Sequence, residues 1–272
     1  MSYMTLESFS KFHGVTPDAI LAQLPLNRDG IVVLGGSVVQ GHGTRNSDFD
    51  VFALIEEERI DETVRRFRNN HPKRANDILA FGSTTLDFQV LSRQALAESF
   101  ATISAIDFSD PHKSLSFDRL SPHYDNETVG ELVHRLRNGI VLQDEVGYRA
   151  LMDSLDYRAY CLWQARYHTN LGDNVYEDLV GVLAAGDTAT ASLLTHELLL
   201  FGGMSLCFLA GRSVDRKKWV LLTLRNAGPR VAPLATRLEQ LLIENKFTPT
   251  AIQAAMRLFN EIAEQDSLLE EV

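Results

Sequence analysis

Cysteine is nearly absent from this 272-residue chain: Cys161 and Cys207 are the only two, and they stand far apart in apolar, helix-like contexts. That excludes a disulfide framework and predicts two buried free thiols in a reducing compartment. The first residues, MSYMTLESFSKFHG, lack the basic-then-apolar order of a secretion signal. Nor does any stretch reach the roughly 20 apolar residues that cross a bilayer. The expectation is a cytoplasmic protein with no membrane partner. Positive charge is also scarce, 26 Lys and Arg against 36 Asp and Glu, for a net charge of -10. A long nucleic acid is a poor partner for such a chain, because that affinity rests on cations neutralising phosphates. A nucleotide held through metal ions is not excluded, and an acidic field favours a cationic small molecule. Internal repeats and low-complexity tracts are missing too. What is present is apolar material, 45% of residues, enough for one large domain or two modest ones with real cores.

The first hundred residues alternate short helix-like and strand-like segments. Thr16 and Pro17 read as N-cap and first residue of a helix over 16–24. Residues 31–34, IVVL, form a β-branched run suited to a strand buried on both faces. A helix opening at Ser37, a strand over 48–55 (DFDVFALI), a charged helix over 61–70 and two strands over 77–92 meeting at GSTT complete the pattern. The polar stretch 107–126 reads as a linker. From residue 127 onward the spacing is helical, with breaks at NLGDN, AAGD, GRSVD and NAGPR, so a bundle of about five or six helices is expected. The fold class is therefore α/β (α+β): a small mixed-sheet domain over 1–106, the linker over 107–126, and an all-α bundle over 127–272.

The segment VLGGSVVQGHGTRNSDFDVFAL carries the chemistry. Gly35 and Gly36 follow a buried strand and let a ligand approach the backbone, and Ser37 opens a helix whose first NH groups and hydroxyl face an anion. The spacing is neither the dinucleotide fingerprint nor a Walker loop. Asp48 and Asp50, one residue apart on a strand, share a face with Phe52, whereas Phe49 and Val51 point the other way. Two such carboxylates repel one another, and a divalent cation with oxygen ligands, magnesium above all, offsets the repulsion. Asp87 is a lone acid in the apolar strand TTLDFQVLS, a costly placement unless paired or bound to metal. If its strand lies beside that of Asp48 and Asp50, the three acids converge, and two magnesium ions could bridge them to a triphosphate.

In this order and spacing the residues resemble the polymerase-β-type nucleotidyltransferase superfamily. The matching elements are Gly36-Ser37, a nine-residue loop, Ser47-Asp48-Phe49-Asp50 with an apolar continuation, and Asp87 on a later strand. The layout is closest to the two-domain antibiotic (aminoglycoside and lincosamide) nucleotidyltransferases, which carry a helical C-terminal domain. The resemblance implies that 1–106 is the nucleotidyltransferase catalytic domain. Ser37 and the backbone near Gly35, Gly36 and Ser47 would hold the nucleotide's phosphates. Asp48 and Asp50 would bind magnesium, and Asp87 would be a further metal ligand or the base that deprotonates the acceptor. Some enzymes of this group have Glu as the third acid, and Asp reaches less far. His42 and Arg45 either touch phosphate or acceptor or are solvated loop residues.

In the helical half, Lys217 and Lys218 stand at the start of a helix, where positive charge opposes the helix dipole. A bound anion would relieve that. In several two-domain relatives a comparable turn supplies a lysine to the triphosphate; Lys218, which directly precedes Trp219, is the first choice and Lys217 the second. Asp173, Tyr176, Glu177 and Asp178 either face an amine-bearing acceptor or begin a solvated helix. His134, His168 and His196 have no mutual metal-ligand spacing. The expected activity is magnesium-dependent transfer of a nucleoside monophosphate from ATP or another NTP to a hydroxyl of an aminoglycoside-like small molecule. The alternatives are a protein, peptide or tRNA acceptor, or a non-catalytic nucleotide-binding module.

Overall fold

The computed structural model describes residues 4–26, 30–41, 43–44, 47–60, 73–108, 119–243 and 247–265. The expected helix over 61–70 lies outside the described residues, as do His42 and Arg45. Contacts divide the chain into two compact units, Met1–Ala105 with Arg119–Asp156, and Ile106–Asp118 with Tyr157–Val272.

The first unit is built on a five-stranded mixed sheet with strand order β3-β4-β2-β1-β5. Strand β1 (Ile31–Gly35) is buried at every position, as its unbroken apolar run requires. It pairs antiparallel with β2 (Phe49–Ile55) on one side and β5 (Ile140–Gln143) on the other. Strand β2 pairs in parallel with β4 (Thr84–Ser92), and β4 forms an antiparallel hairpin with β3 (Arg74–Phe81). Alternation along the strands divides the sheet into two faces. One bears Val32, Leu34, Phe49, Val51, Ala53, Leu86, Phe88 and Val90. These pack with Phe9 of α1 (Leu6–His13), Ile20 of α2 (Pro17–Leu21), and Val38 and Val39 of α3 (Gly36–Val39). Each such side chain fully removed from water contributes about 1.5–3 kcal/mol. The other face bears Phe52 and Leu54 but also Asp50, Asp87 and Gln89. Helix α4 (Arg93–Ser104) follows β4 directly, with the Ser92 hydroxyl accepting the Ala95 NH as its cap. Helix α5 (Asn126–Arg137), capped by Asp125, packs on β1, and α6 (Glu145–Asp153) contacts β1 and β5.

The second unit is helical: α7 (Tyr157–Ala184), α8 (Thr188–Leu209), α9 (Val220–Leu224), α10 (Ala232–Ile243) and α11 (Pro249–Ala263) are its described helices. Helix α8 is apolar and long enough to cross a membrane, yet two thirds of its most apolar window is buried in the protein, 67%. Cys161 and Cys207 are buried free thiols, and burial pushes the Cys207 thiol above its ordinary value.

The α+β class with a mixed sheet and a helical bundle agrees with the sequence reading. The first unit breaks at Ala105, beside the expected end at 106, but it resumes at Arg119 and runs to Asp156, across residues expected in the linker over 107–126 and the bundle over 127–272. Residues 126–156 belong with the sheet, because α5 closes at its cap Asn138 and the β-branched Ile140 and Val141 pair with β1. NLGDN, expected to break a helix, runs through the middle of α7. Its Gly172 is held in the helix because the Phe259 ring packs where a side chain would project.

Candidate active site

Three strands bring three of the predicted residues, Gly35, Asp50 and Asp87, into one row. Gly35, at the end of β1, is the register partner of Asp50 on β2, and Asp50 is in turn the partner of Asp87 on β4. Residues paired this way share a face on strands about 4.8 Å apart. The row continues to Ile78 on the edge strand β3, 69% exposed beside Asp87. Strand β4 is thus interior, and the two carboxylates are neighbours across a parallel ladder.

The turn after β1 is fitted to this row. Gly36 has φ +77, the left-handed region where a side chain is strained, and a Cβ there would lie 1.7 Å from Asp50 Oδ2. Only glycine allows the Asp50 carboxylate to rest against the turn. Ser37 sits in the four-residue α3, and its carbonyl accepts the Gly43 NH at 2.8 Å. Ser47 is committed to its loop. Its hydroxyl accepts the Thr44 NH at 2.9 Å, and its carbonyl accepts the Thr84 hydroxyl at 3.1 Å. Asp48 lies exposed just before β2, and its Oδ1 accepts the Thr85 hydroxyl at 2.6 Å. The loop carrying the first acid is therefore tied to the start of the strand carrying the third.

Sequence reasoning misses Arg135, which it places in the bundle. Helix α5 instead lays it on the acid face of the sheet with its side chain only 6% exposed. Nη1 stands 3.9 Å from Asp50 Oδ1, Nη2 stands 3.8 Å from Glu131, and the guanidinium lies 5.7 Å from the Phe52 ring centroid. A signal exists: Arg135 falls among Leu132, Val133 and Leu136 in a buried stretch of helix, where an arginine needs a partner. Its neighbour His134 is buried against the Gln40 side-chain amide, 2.8 Å away, which links the end of α3 to α5. Further along the helix, Arg74 of β3 donates to Gln89 at 3.0 Å and to the Thr128 hydroxyl at 3.3 Å. Thr128, Glu131 and Arg135 follow helical spacing, so α5 lays one polar stripe over the polar part of the sheet.

Asp50 and Asp87 suit a hard cation in their donor chemistry, their shared face and the glycine cradle beside Asp50. Among the described residues, however, no group of three or more His, Cys, Asp and Glu is gathered so as to hold a metal ion. Asp48 is turned to Thr85, and Asp50 to Gly36 and Arg135.

The remaining candidates lie in the second unit. Lys217 pairs with Glu197 at 3.1 Å and stands 3.8 Å over the Phe201 ring, and Lys218 stands 4.8 Å over the Trp219 ring. Asp173, Tyr176, Glu177 and Asp178 fall in the interior of α7, so the first-turn explanation for these acids does not hold. Tyr176 packs in the apolar cluster with Phe259, while partial burial, and then Glu177, raise the Asp173 carboxyl above its ordinary value.

No family model and no curated protein matches the chain. Among solved structures it is similar to a nucleotidyltransferase-like protein from Exiguobacterium sibiricum, at 13% identity and a TM-score of 0.47, over 92% of this chain and 73% of that one.

Proposed function

We propose that the chain is a magnesium-dependent nucleotidyltransferase that moves a nucleoside monophosphate from an NTP, with ATP the first to test, onto a hydroxyl of a small molecule. The observation that carries this reading is the Gly35–Asp50–Asp87 row, with Gly36 packed against the Asp50 carboxylate. Asp50, with Asp48 and Asp87, would hold magnesium, which when bound would supply charge neutralisation for the triphosphate and the departing pyrophosphate. The chain's own part is positioning. The backbone after Gly36 and the Ser37 hydroxyl, beside the Asp50 carboxylate, would receive phosphate oxygens. Asp87 would be either a further metal ligand or the base that takes the acceptor hydroxyl's proton as that oxygen bonds to the α-phosphorus and the bond from the α-phosphorus to the oxygen bridging to the β-phosphate breaks. The net charge of -10 supports a cationic, aminoglycoside-like acceptor.

The test is pyrophosphate release from each of the four common NTPs against aminoglycosides, lincosamides and pooled metabolites, with Asp50→Asn as the blank. At least one pair should release pyrophosphate, and Asp50→Asn should lower the rate by about 10²-fold or more. If no pair exceeds the blank, the acceptor is a protein, a peptide or a tRNA, or the module is non-catalytic. Arg135 favours the last of these, since it already offers Asp50 a counter-charge. Calorimetry with a non-hydrolysable triphosphate separates the two: binding independent of magnesium and unchanged by Asp48→Asn or Asp50→Asn would end the catalytic reading.

A further inference from the structure

The repulsion within the carboxylate row has a counter-charge inside the protein. Asp50 is 21% exposed in its side chain and Arg135 is 6% exposed, so the pair at 3.9 Å is largely withdrawn from water, where screening by solvent and salt is weak. One Asp50 oxygen rests against Gly36 and the other faces Arg135. The arginine is fixed from two further directions, by Glu131 one helical turn earlier and by the Phe52 ring, two residues beyond Asp50 on the same face of β2. The α5 backbone is held close as well: a Cβ on Gly35 would lie 3.3 Å from the Arg135 carbonyl oxygen. A long, flexible side chain held this way has little freedom to leave Asp50.

We propose that Arg135 is the resident counter-charge of the row. It holds Asp50 in place when no cation is bound, and a divalent cation entering the row binds against it. The first half stands on the geometry alone, and the second rests on the metal reading given above. Arg135 is a positioning residue, acting on substrate and metal only through Asp50. Lysine would keep the charge without the planar fork that spans Asp50 and Glu131.

Two measurements on the full chain decide the matter. In thermal unfolding with chelator, Arg135→Met should lower Tm by about 4–8 °C, because it removes a counter-charge from a partly buried carboxylate. Asp50→Asn in the same chain should recover more than half of that loss. Additive losses would show that the two side chains are not coupled and would overturn the first half. In a titration of Mn²⁺ alone, followed by electron paramagnetic resonance without nucleotide, wild type should bind and Asp50→Asn should bind more weakly. Arg135→Met should tighten Mn²⁺ binding about tenfold by removing a nearby positive charge, and Arg135→Lys should stay within about twofold of wild type. Equal or weaker binding by Arg135→Met would overturn the second half. Identical binding by wild type and Asp50→Asn would overturn the metal reading and the second half with it, while the thermal cycle still decides the first. Arg135→Gln serves in both measurements if the methionine variant does not fold.

Discussion

Gly36 in the sheet unit and Gly172 in the helical unit are both pressed against a neighbouring side chain, for opposite reasons. At Gly36 the backbone itself is unusual, with φ +77, and the neighbour is the Asp50 carboxylate, 1.7 Å from where a Cβ would sit. At Gly172 the backbone is ordinary helix, and the neighbour is the Phe259 ring, 2.3 Å from the same notional atom. In the sheet unit, close approach serves a charged group and is written into the chain's conformation. In the helical unit it serves apolar packing between α7 and α11 and asks nothing of the backbone. The same residue type thus marks a candidate site in one place and a core contact in the other. Only its conformation and the polarity of what it touches tell the two apart.

The largest effect that would sharpen this contrast is expected from Gly36→Ala. Left-handed strain and the collision with Asp50 together should cost about 3–5 kcal/mol of unfolding free energy and abolish the proposed transfer. Shortening the neighbour, as in Gly36→Ala with Asp50→Ala, relieves the collision but not the strain, so urea denaturation should show only partial recovery. Complete recovery would mean that the conformation at Gly36 carries no cost. Next comes His168 of α7, which lies against Phe201 and Phe208 with its buried Nδ1 lacking a hydrogen-bond partner among the described residues. Burial first, and Lys217 second, depress its pKa from 6.5 to about 3. The unfolded chain therefore binds a proton that the folded chain refuses, and its contribution to stability is complete above pH 6.5 and lost progressively as pH falls towards 3. His168→Phe should flatten the acid side of the stability curve by about 2 kcal/mol between pH 6.5 and 4.5. Thermal melts across that range check it, and parallel curves for variant and wild type would refute it. Smaller again is Gly172→Ala. Displacing the Phe259 ring should cost about 1–3 kcal/mol, partly offset by about 1 kcal/mol of better helix propensity. Phe259→Leu in the same chain should restore stability, where no neighbouring change fully rescues Gly36.

The contrast also explains which features are legible in the sequence. Strands β1, β2 and β4 announce themselves through continuous apolar runs, and the single charged residue in each of β2 and β4 stands out against them. The Gly35–Gly36 turn, Asp50 and Asp87 are legible for that reason, whereas Asp48 stands just before β2. Arg135 is not, because a basic residue on an amphipathic helix is ordinary until one knows which face meets the sheet. That in turn requires knowing that β5 returns to β1. The strand IVLQ is four residues long and follows a helix whose apolar spacing it extends. NLGDN misleads in the opposite direction: glycine and two asparagines resemble a break, but tertiary packing on Phe259 outweighs the roughly 1 kcal/mol by which glycine disfavours a helix.

Lys217 offers the smallest expected effect on stability. Its ammonium group is bound to Glu197 and seated over Phe201, and its side chain is 41% exposed. An exposed ion pair and a solvated cation–π interaction together contribute about 0.5–1 kcal/mol. Lys217→Met, which retains the apolar stem over the ring, should therefore shift Tm by no more than about 2–4 °C. If the lysine serves only Glu197 and the ring, the KM for NTP should not change. If it also meets the triphosphate, KM for NTP should rise about tenfold with stability nearly unaltered, because an interaction made only with bound nucleotide has no bearing on folding. Lys218, stacked on Trp219, is the control: the larger KM increase identifies which of the two supplies the charge, and no change in either variant assigns the basic turn to the bundle alone.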